Sequence, residues 1–88
     1  MSNLPIAETP LNQHSLSSLE LWLHKLGAQQ SDEDKCVWIW SMPAWSAEIK
    51  LEQEEMRVTW EKDGLKNQRS FSYGLTRHDV ESAMIQGP

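Results

Sequence analysis

The chain has 88 residues, 8 Lys and Arg against 13 Asp and Glu for a net charge of −5, and 5 Trp within its 39% of hydrophobic residues. That length suits one domain with one core and leaves little room for a deep cleft beside it, while the acidic balance argues against a general binder of phosphate backbones. The lone Cys36 rules out an internal disulfide and suits a reducing compartment such as a cytosol or stroma, and no apolar run approaches the roughly 20 residues of a membrane span.

Residues 1–14 contain Pro5 and Pro10, show no period, and lack the basic and apolar regions of a signal peptide, so they read as an extended N-terminal arm. A single α+β domain is expected over residues 15–88. Its first helix is predicted from Leu16, Leu19, Trp22, Leu23 and Leu26, which repeat at helical spacing. Ser17 and Glu20 have capping-box spacing, Leu16 and Leu21 occupy staple positions, and Gly27 supplies a left-handed stop.

After the acidic loop from Ser31 to Asp34 the period changes to two, which marks strands. Lys35 to Ser41 is apolar on both faces, with Cys36, Trp38 and Trp40 alternating against Val37 and Ile39. Pro43 interrupts the ladder. Trp45, Ala47, Ile49 and Leu51 then alternate with Ser46, Glu48, Lys50 and Glu52, as in a strand with one wet face. Met56, Val58 and Trp60 alternate with Arg57, Thr59 and Glu61, and Asp63-Gly64 is a hairpin signal. Gln68 to Tyr73 makes a fourth strand. Thr76 and Asp79 pair as a cap for a second helix, stapled by Leu75 and Val80, buried through Val80, Ala83 and Met84, and ending at Gly87-Pro88. The expected order is helix, four-stranded antiparallel meander, helix, with both helices on one sheet face and the other face open.

Chemistry-bearing residues do not converge. Cys36 lies in an apolar run, where a free cysteine acts as a small hydrophobe, and His14, His24 and His78 stand in unrelated segments. Neither zinc spacing nor a calcium-loop pattern occurs. The four glycines are isolated at element boundaries, which excludes a phosphate loop. No catalytic group, cofactor or metal is therefore expected. A basic and aromatic set, Arg57, Lys62, Arg69 and Arg77 beside Phe71 and Tyr73, is compatible with stacking on single-stranded RNA. The acid-rich first half of the chain weighs against nucleic acid: residues 1–55 carry −6 and residues 56–88 carry +1.

Several segments resemble one family: Thr9-Pro10-Leu11-Asn12-Gln13-His14-Ser15-Leu16, Leu19 to Leu23, Trp45 to Ile49, Arg69 to Tyr73, Arg77 to Glu81 and Gly87-Pro88. It is a small uncharacterised domain family of cyanobacteria, also found in plastid-targeted plant proteins, and classed as a domain of unknown function. Ser15 departs from its pattern, which has Pro after the His. The resemblance implies an oxygenic phototroph and a cytoplasmic or stromal address, and it supplies no site.

These readings lead to a non-enzymatic module that binds a protein partner. The resemblance suggests an auxiliary role in photosynthetic complex assembly, with peripheral thylakoid association as one setting. An RNA- or ribosome-associated domain and a small-molecule-binding or hydrolytic domain are the alternatives. Trp is enriched at interface hot spots, so the expected contact residues are Trp38, Trp40, Lys50, Arg57 and Arg69. The parity of the first strand decides the rest: with Val37 and Ile39 in the core, the favoured reading, both indoles lie on the open face among Glu48, Thr59 and Gln68, whereas the opposite parity exposes Val37 and Ile39 instead.

Overall fold

The computed structural model describes residues 5–87. The start of the expected arm and Pro88 at the end of the second helix lie outside the described residues. Pro10 bridges Thr76, and Leu11–Gln13 makes one 3-10 turn. Helix α1 runs Leu16–Lys25, followed by β1 (Gln29–Gln30), β2 (Val37–Ser41), β3 (Ser46–Leu51), β4 (Glu55–Lys62), β5 (Leu65–Ser72) and α2 (Arg77–Gln86). The strands form one antiparallel sheet in the order β1-β2-β3-β4-β5. The class is α+β, and the expected four strands become five. The added β1 is two glutamines long and pairs with the middle of β2.

Local chemistry accounts for the element ends. Asp63 and Gly64 have φ of 53° and 80°, the left-handed pair that lets a two-residue hairpin follow the natural twist of its strands. Thr76 caps α2 by accepting from the amide of Asp79 at 3.1 Å. In α1 the cap is Ser15, which accepts from the Ser18 amide at 3.1 Å, rather than Ser17. Leu16 then falls at the first helical position and is 64% exposed, outside the buried stripe of Leu19, Trp22 and Leu23.

The register sorts the sheet into two faces. Trp38, Ile49 and Val58 form one cross-strand row, Trp40, Ala47 and Trp60 a second, and Leu51, Met56 and Phe71 a third. All are buried except the half-buried Leu51, and they share a core with Leu19, Trp22 and Leu23 of α1 and Val80 and Met84 of α2. Leu11 joins them at 1% exposure, so the layer over the sheet combines both helices with the N-terminal segment instead of the two helices alone. Indole N–H groups tie the sheet to the helical layer and the two helices to each other. Trp40 donates to the Leu26 carbonyl at 3.0 Å, Trp60 to the Met84 carbonyl at 3.4 Å, and Trp22 to Glu81 Oε1 at 2.7 Å.

The outward placement of Trp38 and Trp40 is therefore corrected. Both point into the core, at 5% and 1% exposure, while Ile39 is 44% exposed on the opposite face. Area decides the parity, because each indole can bury about 150–250 Å², more than a Val or Ile side chain. Trp40 also stacks edge-on against Trp45, with ring centroids 5.0 Å apart. Unlike that of Trp40, which donates to Leu26, the Trp38 N–H is buried without a partner among the described residues. Cys36 is likewise corrected: it precedes β2 and is exposed.

Backbone bonds lace the N-terminal segment to the connection between β5 and α2. Leu11 donates to Leu75 and Asn12 to Tyr73, while Arg77 donates to Thr9 and His78 to Ala7. No described helix is long and apolar enough to cross a membrane.

Candidate functional site

With one face of the sheet buried, the other is covered by no described element. Three cross-strand rows build it. Val37, Lys50, Arg57 and Ser70 form the first, Ile39, Glu48, Thr59 and Gln68 the second, and Ser41, Ser46, Glu61 and Lys66 the third. Side chains on one face of a pleated pair stand within contact distance of their neighbours across the strands, so each row acts as a unit. A depression of about 290 Å³ is lined by Ile39, Ser46, Ala47, Glu48, Thr59, Glu61 and Lys66. Its apolar wall is Ile39, and its rim carries charges of both signs.

The expected contact residues are divided by this geometry. Lys50 and Arg57 do lie on the open face, directly opposite each other. Their like charges are relieved by Glu52, whose Oε1 sits 3.0 Å from the Arg57 guanidinium. Arg69 does not join them. It shares the core-face parity of Val58 and lays its guanidinium over the Phe71 ring, 5.1 Å from the centroid. Trp38 and Trp40 are on that buried face as well. Sequence reasoning missed Ile39 because alternation within β2 is apolar on both sides. The usable signal was size, since the bulkier set of alternating residues claims the core.

The aromatic platform considered for RNA stacking is not accessible. Phe71 is buried, and Tyr73 is half-buried with its hydroxyl donating to the Glu52 carbonyl at 2.5 Å. Burial pushes the Tyr73 phenol above its ordinary pKa of 10.0, and the charges of Cys36, Glu52 and Glu55 push in the same direction. A second concavity, of about 410 Å³ and chiefly apolar, lies between α1 and this corner of the sheet, lined by Leu16, Leu19, Cys36, Leu51 and Tyr73 among others. Cys36 stands at its edge with its own amide held by Asp34 Oδ1 at 2.9 Å. No cluster of three or more His, Cys, Asp or Glu able to hold a metal ion occurs among the described residues.

The fold and this surface define a small α+β domain with one covered and one open sheet face. The chain belongs to the family described as protein of unknown function (DUF3143), which it matches over residues 26–87. The match begins at the residue that caps α1 and runs through the whole of α2, so the N-terminal segment and the body of α1 lie outside it. No curated protein and no solved structure matches the chain.

Proposed function

We propose that the chain is a non-enzymatic protein-interaction module that recognises its partner through the open face of the sheet. The observation that carries this reading is Ile39, a large apolar side chain left 44% exposed on that face. Around it Glu48, Thr59, Glu61 and Lys66 offer polar contacts of both signs. An apolar centre with a polar rim is the anatomy of a protein interface, and Lys50 and Arg57 extend the rim with cationic groups. The setting, a cyanobacterial cytosol or plastid stroma and an auxiliary role in photosynthetic complex assembly, rests on the sequence resemblance alone.

The test is affinity purification of a tagged copy from a phototroph, with and without nuclease, beside an Ile39→Asp variant of unchanged melting temperature. Nuclease-resistant recovery of a defined protein that Ile39→Asp abolishes supports the reading. Recovery that nuclease removes, or that Ile39→Asp leaves intact, overturns it.

A further inference from the structure

The two edges of the sheet are unequal. At one edge β1 is two residues long, and at the other β5 runs eight residues, exposed at every position except Phe71. The hairpins fix which backbone groups of β5 are free. A two-residue loop is closed by a hydrogen-bonded pair, and bonded and non-bonded pairs alternate from there. Lys62 and Leu65 close the loop between β4 and β5, so Leu65, Asn67, Arg69 and Phe71 bond back to β4. The preceding hairpin agrees: Glu52 donates to the Glu55 carbonyl, which assigns the odd residues of β4 to β3 and the even ones to β5. Lys66, Gln68 and Ser70 consequently turn their N–H and C=O groups to the open side. An uncovered row of this kind is a template for strand addition.

Charge selects the occupant. Between Leu65 and Ser72 the strand carries Lys66 and Arg69 and no acidic residue, in a chain whose net charge is −5. A second copy brought edge to edge would add two further cations and no carboxylate. We propose that β5 is a docking edge for an extended acidic segment of a partner protein, which pairs antiparallel and extends the sheet. Lys66 and Arg69 are three positions apart and project to opposite faces, so the segment carries carboxylates three residues apart. An apolar residue next to the second carboxylate meets Leu65, which is 75% exposed. This edge shares Lys66 with the rim of the depression around Ile39, but it recognises its segment through the backbone of β5 and Arg69, so Ile39→Asp separates the two sites.

The probe is an end-blocked peptide, Val-Thr-Glu-Thr-Val-Glu-Val, titrated to millimolar concentration into the full chain labelled with nitrogen-15. A control peptide has Lys at both Glu positions. Expected is slowed exchange of the Lys66, Gln68 and Ser70 amides with those of Asn67 and Arg69 unchanged, binding that weakens with salt, and about tenfold loss in the double variant Lys66→Glu, Arg69→Glu. Gln68→Pro removes one outward N–H without touching the β4 ladder and also abolishes binding. Should that variant fail to fold, the charge reversal carries the test. Ile39→Asp leaves peptide binding intact. No protection at millimolar peptide, equal binding of the Lys control, shifts mapping away from β5, or sedimentation showing that the chain pairs with its own copy through β5 overturns the proposal.

Discussion

Replacing Trp38 and Trp40 by Phe, one at a time, separates the two indoles by their hydrogen bonds. Both side chains are buried on the same face of β2, so both variants lose a similar ring area and that loss nearly cancels in the comparison. Trp40→Phe breaks the 3.0 Å bond to the Leu26 carbonyl, which costs about 0.5–1.5 kcal/mol. Trp38→Phe removes a buried N–H that has no partner among the described residues, and losing an unsatisfied donor recovers about 1–3 kcal/mol. Trp38→Phe is therefore expected to be more stable than Trp40→Phe by about 1.5–4.5 kcal/mol. Urea melts followed by far-ultraviolet circular dichroism measure the gap, provided that the slopes agree so that midpoints report stability. A Trp38→Phe protein as unstable as Trp40→Phe refutes the reasoning. Truncating either indole to Ala should cost about 3–5 kcal/mol, whereas an indole on the open face would cost little.

Three further outcomes are expected. Tyr73, whose folded pKa is raised, stabilises the fold fully below its ordinary value of 10.0 and loses that contribution as pH rises through the folded value. Alkaline denaturation should therefore be steeper in the native chain than in Tyr73→Phe, which itself costs about 1 kcal/mol at neutral pH through the lost bond to Glu52. Gly87→Ala places a Cβ 2.5 Å from the Trp45 indole nitrogen at a φ of 80° and should cost roughly 1–3 kcal/mol in the same melts. Arg57→Ala breaks an ion pair whose members are 39% and 28% exposed, so the loss should stay below about 1 kcal/mol and shrink in high salt.

Much of the fold could be read from residue order because local and global signals agreed. Val80 and Met84 are buried as the helical period requires, Thr76 caps α2, and Asp63-Gly64 turns the last hairpin. Features without a local signal escaped. Gln29 and Gln30 have no strand preference, and they become β1 only because β2 offers an edge. Leu65 to Asn67 are polar or exposed and are strand because the hairpin continues the ladder of β4. Ser15, Ser17 and Ser18 all qualify as caps, and spacing to Glu20 favoured the wrong one. The candidate site was only partly legible. The wet alternation of β3 and β4 gave Glu48, Lys50, Arg57 and Thr59, with Gln68 beside them, but the parity of β2 depends on what covers the sheet, which no periodicity within a run of five apolar residues can state.

The lacing of residues 7–12 to residues 73–78 has a meaning in the order of synthesis. Each of these backbone partners is made more than sixty positions after the residue it joins. Contacts so distant in sequence cannot form until the intervening chain exists, and their loop-closure entropy must be met before they reward it. Strands β2 to β5 can zip as successive hairpins while the chain is still growing, but Leu11 finds its place in the core only afterwards. Until residues 73–78 are in place the apolar face of the sheet is thus partly unroofed, and residues 7–12 are among the last to settle.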